Sequence, residues 1–258
     1  MKTFKNLFSL MLLIPLLSIS QSKSEYAIIE NGLITAHPEK VKQFETNVAA
    51  HNKKYHAEGI YGARVYSISN GKNVGKYIWA MGPLPWSALD NRPAKEGHDE
   101  DWRDNVVPNM TAEGDQTYWK FNAGLSNFPK DFTIKNLLVD VYDLKRFQGE
   151  KMQVLMKKIQ KVMVEKFTED TYGIYTNELS SMTDGKDMAF VSFFNKMGWL
   201  GEDGQFSKKY DEVHGAGSFA TFLKEWGEIS HGKYSSEIWV YRADLSGLGG
   251  DIKAAQRK

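Results

Sequence analysis

Glu96-Gly97-His98 and Glu212-Val213-His214 each place a carboxylate and an imidazole two positions apart, and the triplets stand 116 residues from one another. In extended chain, side chains two apart point the same way. Such a pair can ligate a divalent metal, or serve as a general base with its orienting partner. The plainer alternative is a Glu and a His that pair with each other and cap the next helix. Asp99, Glu100 and Asp101 beside the first triplet would help a hard cation or solvate a loop. His51 is the catalytic candidate: it falls on the apolar side of a predicted helix, where burial would lower its pKa, although a hydrogen-bonded core histidine fits as well. His56 is five residues on, about 140° around a helix, so His51 and His56 are not expected to form a metal pair. Trp86, Trp102 and Trp199 fall in or beside long loops, where they could stack on a flat ligand or fill one end of the fold. Glu228 and His231 have Glu-x-x-His spacing, but no second copy accompanies them. Ser218 after Gly215-Ala216-Gly217 reads as a helix N-cap. The chain contains no nucleophile elbow, His-Glu-x-x-His or dinucleotide fingerprint.

The elements that must carry these residues occur twice. Val41, Phe44 and Val48 match Met152, Leu155 and Ile159 at an offset of 111, and Tyr61-Gly62 matches Tyr172-Gly173 at the same offset. Met81-Gly82-Pro83-Leu84 matches Met197-Gly198-Trp199-Leu200 at 116, and Trp119 to Ser126 matches Trp239 to Ser246 at 120. The offset only rises, as expected if loops of the second copy gained residues. In the first copy a strand is predicted at 26–34, then a helix begun by Pro38 and ended near Gly59. Strands at 61–69 and 74–81 flank the Asn70-Gly71 turn signal. A charged loop, a short helix limited by Pro108 and a strand at 116–123 follow. The second copy predicts strand 135–144, helix 149–167, strands 172–180 and 187–195, a loop, helix 218–229 and strand 236–243.

A βαββαβ order twice over is α+β: two tandem ferredoxin-like repeats, able to pack sheet to sheet and bury both open faces. The arrangement resembles the dimeric α+β barrel superfamily, with the dimer fused into one chain. The resemblance covers residues 25–246 and rests on element order and duplication, with no family-specific catalytic signature. It implies a pseudo-dimeric barrel and a superfamily that includes cofactor-poor monooxygenases, haem-handling proteins and non-catalytic binders. The expected boundaries are 1–20 for a signal peptide, 21–126 for the first repeat, 127–132 for a linker, 133–246 for the second repeat and 247–258 for a flexible tail.

Lys2 and Lys5 ahead of the apolar run Leu7 to Leu17, then Ser18-Ile19-Ser20, have the layout of a secretory signal peptide cut before Gln21. The expected location is periplasmic or extracellular. The run is too short to span a bilayer. With 33 basic and 32 acidic residues in 258, the chain lacks the cationic excess that nucleic acid would attract. The absence of cysteine excludes thiolate nucleophiles, iron–sulfur clusters and Cys–zinc sites. The leading expectation is an exported small-ligand-binding protein. The alternatives are a dimeric α+β barrel enzyme, either metal-assisted through a divalent metal or monooxygenase-like, and a structural or partner-binding envelope protein; oligomeric state is open.

Overall fold

The computed structural model describes residues 25–90, 92 and 97–254. Glu96 and the expected signal peptide lie outside the described residues. The first repeat runs β1 (Ala27–Ala36), α1 (Val41–Tyr55), β2 (Ala63–Ile68), β3 (Tyr77–Pro85), α2 (His98–Asp101) and β4 (Met110–Phe121). A two-residue strand, β5 (Phe132–Thr133), opens the passage to the second repeat. That repeat runs β6 (Asn136–Leu144), α3 (Gly149–Lys166), β7 (Thr171–Asn177), β8 (Met188–Phe194), α4 (Phe206–His214), α5 (Ser218–Ile229) and β9 (Ser230–Tyr241), and the short β10 (Asp251–Ile252) follows. No helix among the described residues is long and apolar enough to cross a membrane.

Each repeat forms an antiparallel four-stranded sheet, in the orders β4-β1-β3-β2 and β9-β6-β8-β7. Pairing of β2 with β9 and of β4 with β7 closes the two sheets into one eight-stranded barrel. This is the dimeric α+β barrel within a single chain. Strand alternation divides the side chains between two layers. In β1, Ile29, Asn31 and Leu33 line the barrel interior, while Ile28, Glu30 and Ile34 are buried on the helix side. The described residues therefore form three cores. One lies under α1 (Phe44, Val48, Trp79, Met81), one under α3 and α5 (Leu155, Ile159, Tyr172, Phe222), and one inside the barrel (Tyr66, Ile78, Trp119, Val139). Trp119 and Trp239 line the interior. Trp79, alike on a strand, belongs to the helix layer of the first repeat.

The duplicated stretch ending in Leu-Ser straps each repeat to the other. Ser246 Oγ accepts from Val65 N at 2.8 Å and donates to Arg242 O at 2.7 Å. Ser126 Oγ accepts from Ile174 N at 2.9 Å and donates to Asn122 O at 2.8 Å. Leu245 is buried in the core under α1, and Leu125 in the core under α3. Beyond Ser246 the expected flexible tail is corrected through residue 254: Gly247 and Leu248 both donate to Ala63 O, and β10 pairs with β5. Gly247 passes so close to α1 that a Cβ there would sit 2.1 Å from His56 O, so only glycine fits.

Two further departures lie where hydrophobic alternation is silent. β4 and β9 begin about six residues before their expected starts, in polar stretches (Thr111 to Asp115, His231 to Ser235) that are largely exposed. α4 occupies what the sequence suggested was loop.

Candidate metal centre

Three imidazoles converge between α1 and the outer face of the first sheet. His51 is in the last turn of α1, and His56 is the residue that ends it, its N–H donating to Asn52 O. Asn52 anchors this turn by donating to Leu245 O at 2.7 Å and accepting from Trp79 Nε1 at 2.9 Å. His98 opens α2, preceded by Gly97 at φ 80°, a left-handed turn that glycine adopts without strain. One π-helical turn, Trp102–Val106, continues α2, and such turns recur at functional sites. It is tied to α1 by Asn47 Nδ2 donating to Asn105 O at 2.6 Å.

His51 and His56 are 1% and 3% exposed, and the His98 side chain 16%. One ring nitrogen of each of the three lies within 4.8 Å of the others. His56 Nε2 and His98 Nε2 are 3.2 Å apart, and a tetrahedral site with metal–nitrogen bonds of about 2.0–2.1 Å sets its nitrogens about 3.3–3.4 Å apart.

The Nδ1 atoms of all three rings are held by partners outside the cluster. His51 Nδ1 is 2.7 Å from Asp101 Oδ2, His56 Nδ1 2.7 Å from Tyr61 O, and His98 Nδ1 2.7 Å from Asp99 Oδ1. Carboxylates and carbonyls only accept, so each Nδ1 carries a hydrogen, and a ring with no second proton presents its Nε2 lone pair. Two such lone pairs 3.2 Å apart repel unless a cation or a shared proton lies between them. Histidine bound to carboxylate or carbonyl through its far nitrogen is the usual outer arrangement of a metal-ligating imidazole.

Burial pulls the pKa of His51 below its ordinary value, against the opposing pull of the hydrogen bond to Asp101. Desolvation raises the Asp101 carboxyl, but hydrogen bonds from His51 and Asn105 outweigh it and leave the pKa below the usual range. The neutral imidazole favoured at His51 is the ligating form. Trp102 closes over the cluster, its ring 5.1 Å from that of His51.

The remaining candidates are dispersed. Glu212 and His214 lie on α4 rather than in extended chain, about 200° apart around the helix. Glu212 pairs with Lys166 at 2.9 Å and His214 Nε2 lies 3.0 Å from Lys158 O, which corrects the idea that this pair points to one site. Among the described residues of the two Glu-x-His triplets, only His98 reaches the centre. Trp86 packs on Tyr118 and Trp199 on Phe194, so of the three loop tryptophans only Trp102 belongs here. His56, set aside on helical angles, is a full member because the helix stops at Tyr55. The available signal was departure from the repeat: His51 and His56 stand opposite Val162 and Phe167 in the second copy.

Haem, handled by some members of the superfamily, does not fit these residues. The cavity of about 820 Å³ under α3 and α5 has the volume, but its described lining offers neither histidine nor cysteine; burial holds the proton on the Tyr142 hydroxyl, and the thioethers of Met156, Met163 and Met188 have no histidine opposite to complete an axial pair. The three-histidine cluster packs ring against ring at 5.0–5.2 Å and leaves no slot for a porphyrin.

No protein-family model and no curated protein matches the sequence. Solved structures do match the fold. A candidate monooxygenase from Lactobacillus acidophilus is 13% identical over 90% of this chain and 100% of its own, with a TM-score of 0.53. A second, from Fusobacterium nucleatum, is 11% identical over 89% and 99%, also at 0.53. Chlorite dismutase from Candidatus Nitrospira defluvii, solved with imidazole, is 7% identical over 86% and 93%, at 0.52. At these identities the likeness is one of fold.

Proposed function

We propose that this chain is an exported metalloenzyme of the dimeric α+β barrel fold, holding one divalent transition metal on His51, His56 and His98 and acting on a small molecule. The observation that carries the reading is the inward convergence of three imidazoles whose Nδ1 atoms are all taken by acceptors. Three neutral nitrogen ligands suit zinc, copper, iron or nickel and leave coordination positions for water or substrate. A metal there would supply a Lewis acid and lower the pKa of bound water.

The chain's own residues do the positioning. Asp101 fixes the tautomer and ring orientation of His51, the Tyr61 carbonyl does the same for His56, and Trp102 excludes water from one side. The enzyme reading is supported by the company of the fold, which includes candidate monooxygenases and a chlorite dismutase. Export is supported by the charged and apolar layout of residues 1–20. A purely structural role predicts filled cores, and the cavity under α3 and α5 weighs against it. That aromatic-lined cavity favours the second reading, a binder of small ligands without metal chemistry.

The test is metal content. Full-length protein is loaded with zinc, dialysed, and analysed by elemental mass spectrometry. One zinc per chain is expected in the wild type and almost none in His56→Ala or His98→Ala, with Trp199→Ala retaining it. A folded wild type that keeps no zinc, or the two histidine variants keeping as much as wild type, would overturn the proposal.

A further inference from the structure

A second site lies on the opposite face of the same sheet, inside the barrel. An eight-stranded barrel is just wide enough for side chains to fill it or for one small ligand to be held. Here a cavity of about 360 Å³ remains. Small residues create it: Ala80 on β3 and Ala189 on β8 point inward from the two sheets, where larger side chains would meet. Aromatic rings bound it, among them Tyr66, Trp119, Tyr175 and Trp239. The apolar part of this lining suits water poorly, and its unfilled volume forfeits packing energy.

One polar atom gives the space a direction. Asn31 lines the cavity from β1, directly across from Ala80 on one side and Thr117 on the other. Its Oδ1 is buried and has no hydrogen-bond partner among the described residues. A buried amide oxygen without a donor is costly and uncommon. The polar end of the cavity is defined by the Asp115–Lys186 ion pair and by Asn73 Nδ2 donating to Glu237 at 2.7 Å. Both contacts are between side chains and can part without disturbing a strand.

We propose that the barrel interior binds one small planar aromatic molecule whose hydroxyl or N–H donates to Asn31 Oδ1. The rings supply flat apolar contact, Asn31 sets the orientation, and entry is past Asp115 and Lys186. The site is separate from the three histidines, which lie on the helix side of the sheet.

The test uses 2-naphthol, and naphthalene as the probe without a donor, with quenching of tryptophan fluorescence in the full chain as readout. Saturable 2-naphthol binding is expected in the wild type. Ala189→Phe, which fills the cavity, weakens it about tenfold or more, and Ala80→Leu, a smaller insertion, does so should the first variant fail to fold. Asn31→Leu weakens 2-naphthol about tenfold while leaving naphthalene nearly unchanged. His98→Ala leaves 2-naphthol binding intact, so failure of the metal reading would not disturb this result. The proposal is overturned if 2-naphthol does not bind saturably, if the folded filling variants bind it as wild type does, or if Asn31→Leu affects the two probes alike.

Discussion

His56 lies one residue past the last turn of α1, and that single step accounts for the difference between its expected and observed roles. Angles of 100° per residue hold only while the helix continues. At the cap the backbone has φ −126° and ψ 26°, and the ring comes to 5.2 Å from that of His51. Composition and spacing could mark His51 and His98 as candidates, but they could not show where the helix stops or which Nδ1 atoms find acceptors. Asp101 illustrates this: read as one acid in a charged loop, it is the partner of His51. Replacing it with Asn keeps the shape, removes the charge and allows the opposite tautomer at His51. Asp101→Asn is expected to lower zinc affinity by about 10–100-fold with little change in thermal stability, measured by competition with a chromophoric chelator. An unchanged affinity would remove Asp101 from the site.

At the scale of elements, the hydrophobic periodicity and the steadily rising offset were sufficient to order the strands and helices. They failed where a strand has no apolar face to show: the early residues of β4 and β9 are largely solvent-exposed. In α4 a face does exist, Phe206, Tyr210 and Val213 against the core under α3 and α5, but nine residues after a Gly-rich, charged approach make a short signal. The sequence also displayed the Leu-Ser matches without a role for them, because each acts on the other repeat. Leu245→Ala and Leu125→Ala should each cost about 2–5 kcal/mol by chemical denaturation, as buried leucines do. Only Leu245→Ala is expected to weaken zinc binding as well, because the Leu245 side chain packs in the core under α1, which carries His51 and His56, whereas Leu125 packs under α3. Equal effects of the two variants on zinc would contradict the view that the strap positions the centre. Ser246→Ala leaves Val65 N without its acceptor and should cost about 1–3 kcal/mol in the same assay.

The whole molecule depends on two repeats holding each other, through strand pairs at both seams and through side chains that cross between them. Glu45 in α1 accepts from Arg242, beyond β9, at 2.6 Å and from Tyr77 at 2.8 Å. The bond from Arg242 lowers the Glu45 pKa below its ordinary 4.5 in spite of burial, and Tyr77 assists. Burial, followed by the bond to Glu45, pushes Tyr77 up to about 12. A carboxylate whose pKa is lower in the folded state stabilises above 4.5, and that stability is lost as pH falls through the folded value. Glu45→Gln should therefore cost about 1 kcal/mol near pH 7 and show a shallower loss than wild type on acidification below pH 4.5. Parallel acid curves for the two proteins would show that the bridge contributes nothing.

Joining the repeats leaves the helix side of one sheet for three histidines, whose second-repeat counterparts are Val162, Phe167 and His214. The pseudo-dimer is thus symmetric in fold and asymmetric in chemistry. Anomalous diffraction at the zinc edge, on crystals of zinc-loaded full-length protein, tests this most directly. A single strong peak about 2.0–2.1 Å from the Nε2 atoms of His51, His56 and His98 is the predicted result. No peak among those three rings, with zinc found only elsewhere on the chain, would contradict it.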